Sequence, residues 1–422
     1  MRLKVMPGDV EGAIPASPSK SYSHRVMILG MMAHGTSVLK RVLLSDDTLS
    51  TLGAVRQFGA RVLVKGDTCR IKGGHIQCPV DPVDAGNSGT TIRLLTGVAS
   101  LLPCTTVLTG DSSIRRRPMG PLIDALQEMG VTCIPTQAEG RAPLMVRGPN
   151  CGRIAHIRGD VSSQFISSLI MSSPLKDVDT EIVLTSPLIS SPYVDITIEL
   201  MERFGSECEI TEEGFSVSGG QRYMPITFEV PGDFSSAAFP LVSAALSGKV
   251  TVTGLTEKTK QGDRAILDIL EAFGAIVKRR EREIEVCSSD LQGQEVDLSS
   301  CPDLFPVIAV LAACSTGRSV LCNASHLRHK ESDRIRTTVD MLRKMGAKVE
   351  EREDGCIVDG PNRLRGAVID PHGDHRILMA ASVAALVAEG DTIIGDGDCY
   401  AVSYPSFVQD MVTLGARIEV ME

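Results

Sequence analysis

Cations, hydroxyls and small residues gather at a few short segments of this chain, in a pattern suited to gripping anions. Ser19-Lys20-Ser21-Tyr22-Ser23-His24-Arg25 offers hydroxyls and two cations ahead of an apolar run, and Asn87-Ser88-Gly89-Thr90-Thr91-Ile92-Arg93 places a glycine where a ligand can approach the backbone. Gly159-Asp160-Val161-Ser162-Ser163-Gln164-Phe165 suits hydroxyl or carboxylate recognition. Arg115-Arg116-Arg117, the stretch from Lys330 to Arg334, and His372, His375 and Arg376 add further cations. The start of a helix presents free N–H groups and a partial positive charge, so a Lys or Arg placed there completes an anion site. One such residue alone is usually a solvated surface charge. Six helix starts in register, several with Ser, Thr or Asn beside the cation, argue for binding.

These segments need elements to hold them, and the chain supplies one unit repeatedly. A hydrophobe-Gly pair closes a helix-like run at Phe58-Gly59, Met129-Gly130, Phe204-Gly205, Phe273-Gly274, Met345-Gly346 and Leu414-Gly415, at intervals of 69 to 75 residues. A period held so narrowly marks internal repetition, which outranks local fold assignments. In phase with it, a polar start leads into a strongly apolar stretch at Lys20, Asn87, Val161, Asp233, Cys301 and Gly373. Each repeat therefore carries two helices of different kinds. Phe305 to Ala313 and Ile377 to Ala388 read as buried nearly all round. The second kind is amphipathic, as in Leu122, Ile123, Leu126 and Met129, or Ile335, Val339, Leu342 and Met345. Short β-rich runs such as Thr180–Ser186, Val250–Thr253 and Ser319–Cys322 lie between them. The spacing predicts a mixed α/β (α+β) chain of βαβα units with extra strands, six in all, dividing most simply into two domains of three.

The composition bounds the function. A length of 422 residues allows about two or three domains. A net charge of −9 with no long basic run speaks against nucleic acid as a partner. The longest apolar runs fall short of the roughly 18 residues that span a bilayer, and Met1 to Gly8 lacks a signal-like apolar core, so a cytoplasmic protein is expected. The twelve cysteines are scattered without a CxxC pair, which predicts free thiols rather than a disulfide or zinc framework. GxxxxGK[ST], GxGxxG, HExxH and EF-hand patterns are absent, and His372-x-x-His375 reads as helix-start hydrogen bonding. No metal or cofactor is expected.

In order and in repeat register, the motifs Ser19-Lys-Ser-x-Ser-x-Arg25, Gly86-Asn-Ser-Gly-Thr-Thr-x-Arg93, Arg117-Pro118, Ser162-Ser-Gln164, Ser191-Pro-Tyr-Val-Asp195, Pro302-Asp303, Lys330-Glu-Ser-Asp-Arg334 and Asp374-His-Arg376 resemble those of the 5-enolpyruvylshikimate-3-phosphate (EPSP) synthases, from Ser19 through Pro405. The resemblance implies two domains, each of three βαβαββ units around buried helices (an inverse α/β barrel), covering 1–13 plus 228–422 and 14–227, with hinges near 12–14 and 226–229. It implies transfer of the enolpyruvyl group of phosphoenolpyruvate to shikimate 3-phosphate, with release of phosphate, by a monomer. The two substrates together carry roughly six negative charges near neutral pH, which explains cations at helix starts in an acidic protein.

By the same resemblance, Lys20, Ser21, Arg25, Ser162, Ser163, Gln164, Ser190, Tyr193, Asp303 and Lys330 contact shikimate 3-phosphate. Lys20, Gly89, Arg117, Gln164, Arg334 and Arg376 hold phosphoenolpyruvate, and the family also binds the anion glyphosate there. Asp303 would take the proton of the sugar 5-hydroxyl, Glu331 would serve C3 of phosphoenolpyruvate as acid and then base, and Lys20 belongs to the catalytic set. The plainer roles are a helix cap for Asp303 and a first-turn dipole partner for Glu331. The chain departs from some members at Val402-Ser403-Tyr404-Pro405, where they carry a lysine, and at His326, where they carry an asparagine. Two rivals remain. A UDP-N-acetylglucosamine enolpyruvyl transferase would read Ser-Lys-Asn at the first site and carry a cysteine in the loop that here is Asp111 to Arg117. A repeat scaffold would have interchangeable repeats.

Overall fold

The computed structural model describes residues 1–421 and builds the repeats to one plan. In the second repeat, strand Val83–Asp84 leads into the buried helix Gly89–Ala99, followed by strand Thr106–Thr109, the outer helix Gly120–Glu128 and strands Thr132–Gln137 and Arg141–Arg147. Val83–Asp84 runs parallel to Thr106–Thr109, which pairs antiparallel with Arg141–Arg147, and that strand pairs antiparallel with Thr132–Gln137. A parallel pair needs a crossover, and the inner helix is that crossover. Six four-stranded sheets of this same order occur among the described residues.

One exchange of strands and one closure adapt the plan to a single chain. Strand Val10–Pro15 precedes helix Lys20–Met32 in sequence but pairs in parallel with Gly248–Thr253. Thr227–Glu229 precedes helix Phe234–Leu246 but pairs with Thr36–Lys40. The two leading strands have changed places, and the chain sorts into a split unit, Met1–Ser17 with Pro231–Glu422, and a continuous unit, Pro18–Val230. The sixth sheet takes Arg2–Met6 between Thr392–Ile394 and Arg417–Met421.

Each unit has its own apolar core around three inner helices. Every residue of Gly89–Ala99 and of Phe305–Ala313 is buried, and burying a Leu, Ile or Phe contributes about 1.5–3 kcal/mol each. The sixth inner helix runs His375–Leu386, two residues earlier than its apolar stretch suggests, because the Asp374 carboxylate accepts from the Arg376 backbone N–H and caps it. Each hydrophobe-Gly pair is a helix stop. Gly59, Gly130, Gly205, Gly274, Gly346 and Gly415 take φ between +82° and +98°, the left-handed region open to glycine. The chain then turns back on the helix, as in Ala60 N to Val55 O at 3.2 Å, and the preceding hydrophobe, from Phe58 to Leu414, is buried.

The expectation of free thiols fails at one place. Cys78 and Cys104 form a disulfide with Cα atoms 6.1 Å apart. They stand shortly before Val83–Asp84 and Thr106–Thr109, and because those strands are parallel neighbours, the segments entering them run side by side. Among the described residues no helix is long and apolar enough to cross a membrane.

Candidate functional site

In the continuous unit, neutral groups hold the buried Arg25. Arg25, one turn into helix Lys20–Met32 and 1% exposed, donates from Nε to Thr197 Oγ1 at 2.7 Å. Its Nη1 donates to the Ser21 carbonyl at 3.0 Å, and its Nη2 to the Tyr193 carbonyl at 3.0 Å and to Ser167 Oγ at 3.4 Å. No described carboxylate pairs with it, and burial presses its pKa down to about 10. A desolvated cation held by neutral acceptors is stabilised by an anion that reaches it.

The neighbouring helix starts repeat the arrangement. Arg93 Nη1 donates to Gln164 Oε1 at 2.9 Å and to Ser162 Oγ at 3.4 Å, with its guanidinium 5.3 Å from the Phe165 ring centre. Gln164 in turn donates to Thr90 Oγ1 at 2.9 Å. Arg117 Nη2 donates to Asn87 Oδ1 and Ser113 Oγ, each at 3.1 Å, and Asn87 is fixed by Asp111 at 2.8 Å. A Cβ on Gly89 would lie 2.7 Å from Arg117 Nη1, so the missing side chain is what lets that arginine lie over the helix start. Lys20 pairs with Asp47 at 3.0 Å. Beneath them, His24 Nδ1 meets Thr51 Oγ1 at 2.6 Å, and Thr51 meets Thr91 Oγ1 at 2.6 Å. Burial holds the pKa of His24 well below the usual histidine value.

In the split unit, carboxylates hold the arginines. Arg334, 1% exposed, forks onto Asp374 with Nε at 3.0 Å and Nη2 at 3.2 Å, and also reaches Glu331 Oε2 at 2.6 Å and Asp303 Oδ1 at 2.9 Å. The three carboxylates hold its pKa above the ordinary arginine value in spite of its burial. Arg376 Nη2 takes the other Asp303 oxygen at 2.9 Å. Asp374, fully buried, also accepts from Ser332 Oγ and the Arg376 backbone N–H, each at 3.0 Å. Asp303 does not cap its helix, whose N-cap is Leu304, and Glu331 stands ahead of helix Arg334–Lys344, whose cap is Asp333. Both carboxylates thus face an arginine rather than a helix end. His326 is 6% exposed, and burial, aided by Lys330, pushes its pKa down to about 3.

The residues singled out from sequence fall into these two sets. Lys20, Ser21, Arg25, Gly89, Arg117, Ser162, Ser163, Gln164, Ser190 and Tyr193 lie in the continuous unit, and Asp303, Lys330, Glu331, Arg334 and Arg376 in the split unit. Arg334 differs from expectation in having most of its N–H groups already engaged by carboxylates. Asn87, Arg93 and Asp374 stood inside recognised motifs without a role. Asp47 and Thr197 had no signal, because their partners lie 27 and 172 residues away.

Residues 5–411 match the profile of the EPSP synthase (3-phosphoshikimate 1-carboxyvinyltransferase) family. The 3-phosphoshikimate 1-carboxyvinyltransferase of Methanocorpusculum labreanum is 48% identical over 419 residues, 99% of each chain. That of Methanocaldococcus jannaschii is 43% identical over 417 residues, 97% of each. The solved structure of EPSP synthase from Acinetobacter baumannii superposes with a TM-score of 0.84 at 29% identity, covering 100% of both chains. The enolpyruvyl transferase NikO from Streptomyces tendae, at 18% identity and a TM-score of 0.79 over 99% of this chain and 98% of its own, shares the fold.

Proposed function

Because the chain belongs to the EPSP synthase family, we propose that its two arginine systems divide the work of that family's reaction into anion binding and proton transfer. The enzyme transfers the enolpyruvyl group of phosphoenolpyruvate to the 5-hydroxyl of shikimate 3-phosphate and releases phosphate, a step of the shikimate pathway to aromatic amino acids. The UDP-N-acetylglucosamine reading is not favoured.

In the continuous unit, Lys20, Ser21, Arg25, Ser162, Ser163, Gln164, Ser190 and Tyr193 bind shikimate 3-phosphate, and Lys20, Gly89, Arg117 and Gln164 bind phosphoenolpyruvate. Arg25 supports this best, since it is buried on neutral acceptors alone. In the split unit, Asp303 and Lys330 contribute to the sugar phosphate, and Arg334 and Arg376 to phosphoenolpyruvate. Asp303 removes the 5-hydroxyl proton as the oxygen attacks C2, while Glu331 delivers a proton to C3. Glu331 then takes a proton back from C3 of the tetrahedral adduct as the C2–O bond to phosphate breaks. The domain reading of 1–13 with 228–422 and 14–227, a monomeric state and a cytoplasmic location belong to the same proposal.

The observation that carries the chemistry is Arg334, which holds Asp303 and Glu331 on one guanidinium. Glu331→Gln keeps size and hydrogen bonding but cannot shuttle a proton, so kcat should fall by about 10²–10⁴ with KM little changed. The variant should also lose exchange of the C3 hydrogens of phosphoenolpyruvate with solvent deuterium in the presence of shikimate 3-phosphate. Exchange at the wild-type rate would remove Glu331 from the mechanism and turn attention to Asp303 and Lys20.

A further inference from the structure

The split unit carries another buried carboxyl that the proposed chemistry does not use. Asp263, 3% exposed, lies in the turn Gly262–Ala265, which packs against the turn Pro302–Leu304 bearing Asp303. Its Oδ2 makes a short contact with the Ser235 hydroxyl, and its buried Oδ1 has no hydrogen-bond partner among the described residues. No described cation pairs with it. Arg264 turns to Glu257 and Asp268, and Arg376 gives its Nη2 to Asp303. A buried carboxylate with one hydroxyl partner, one bare oxygen and no counter-ion is costly, whereas the neutral acid is not.

We propose that Asp263 is a positioning residue for Asp303, keeping a proton so that Arg376 remains on the Asp303 carboxylate. The inference rests on the reading of Asp303 as the base. The groups facing Asp263 set its balance. Desolvation and the charges of Asp303 and Asp233 oppose ionisation, while Arg376 and the Ser235 hydroxyl favour it, leaving a pKa of about 7. Cys301 stays a neutral thiol through its own burial. Once Asp263 ionises it competes for Arg376, and Asp303 loses the partner that orients it. This makes a limb in the activity profile that a purely structural aspartate would not produce.

The test has two arms on the full chain. Infrared titration of the substrate-free enzyme should show a neutral carboxylic acid band that disappears near pH 7 and is missing from Asp263→Asn. In Asp303→Asn the band should titrate at least about one unit lower, because a repelling charge has gone and Arg376 is released. In kinetics at saturating substrates, Asp263→Asn should lose the decline in kcat that the wild type shows above about pH 7. An absent band, a titration unmoved by Asp303→Asn, or an identical kcat profile in Asp263→Asn would each overturn the proposal. If Asp303→Asn keeps its kcat while the band still shifts, the base assignment fails and the coupling of the two carboxyls stands. If Asp263→Asn does not fold, the Asp303→Asn titration decides alone.

Discussion

The continuous and split units are built from the same repeated plan, yet they hold Arg25 and Arg334 in opposite ways. Arg25 is surrounded by hydroxyls and carbonyls, so its charge is left over for a ligand. Arg334 is surrounded by Asp303, Glu331 and Asp374, so its charge is cancelled and its rigid fork instead fixes carboxylates in place. In the proposed reaction the same side chain is a receptor in one unit and a clamp in the other. What differs is the polarity of two or three neighbours, while the helices and sheets that carry them are alike.

The largest test of that difference is to delete the same charge from each unit. Arg334→Met strands the fully buried Asp374 without its fork, and breaking a buried pair in this way costs about 3–5 kcal/mol of unfolding free energy. Arg25→Met leaves only neutral acceptors unpaired, a loss of about 1–3 kcal/mol, but it should raise the KM for shikimate 3-phosphate by about 10- to 100-fold. Denaturant unfolding and steady-state kinetics on both variants check this. Equal stability losses would erase the distinction between receptor and clamp.

Arg117 extends the receptor reading to phosphoenolpyruvate. Arg117→Ala should raise the KM for phosphoenolpyruvate by the roughly 1.5–3 kcal/mol of a charge-assisted hydrogen bond, with kcat less affected. Gly89→Ala should reproduce part of that loss, since its Cβ would press on Arg117 Nη1 at 2.7 Å. In the double variant the losses should not add, because both substitutions act on one guanidinium. Additive losses would mean that Gly89 acts on the ligand directly.

Much of this is legible in the sequence alone. The repeat period marked the stop of each of the six outer helices, because a left-handed glycine after a buried hydrophobe is a local device that leaves a local pattern. The cation-bearing helix starts were legible for the same reason. The exchange of Val10–Pro15 with Thr227–Glu229 was not, since either strand suits either sheet and only pairing across more than 180 residues decides. Nor was the contrast between the units, because Thr197 approaches Arg25 from 172 residues away and Asp374 approaches Arg334 from the following repeat. The Cys78–Cys104 pair escaped because its cause, two parallel neighbouring strands, is a property of the sheet.

The smallest expected effect uses one feature that the two units share. Each buries a histidine that stays neutral, His24 in the continuous unit and His326 in the split unit, and in both the leading cause is desolvation. The folded pKa lies below the unfolded value of about 6.5, so the unfolded chain takes up a proton that the folded chain refuses. Stability from this source is therefore intact above about pH 6.5 and declines as the pH falls from there toward the folded pKa, which for His326 is about 3. At pH 5.5 the loss per histidine should be about 1.4 kcal/mol relative to neutral pH. His24→Gln and His326→Gln should each flatten that decline by about this amount when unfolding is compared at pH 7.5 and 5.5. If the units unfold in separate steps, each substitution should flatten only the step of its own unit. A variant whose acid sensitivity matches the wild type would show that its histidine gains a proton without cost in the fold, and the neutral polar floor beneath Arg25, or the His326 side of the clamp, would have to be redrawn with a charge in it.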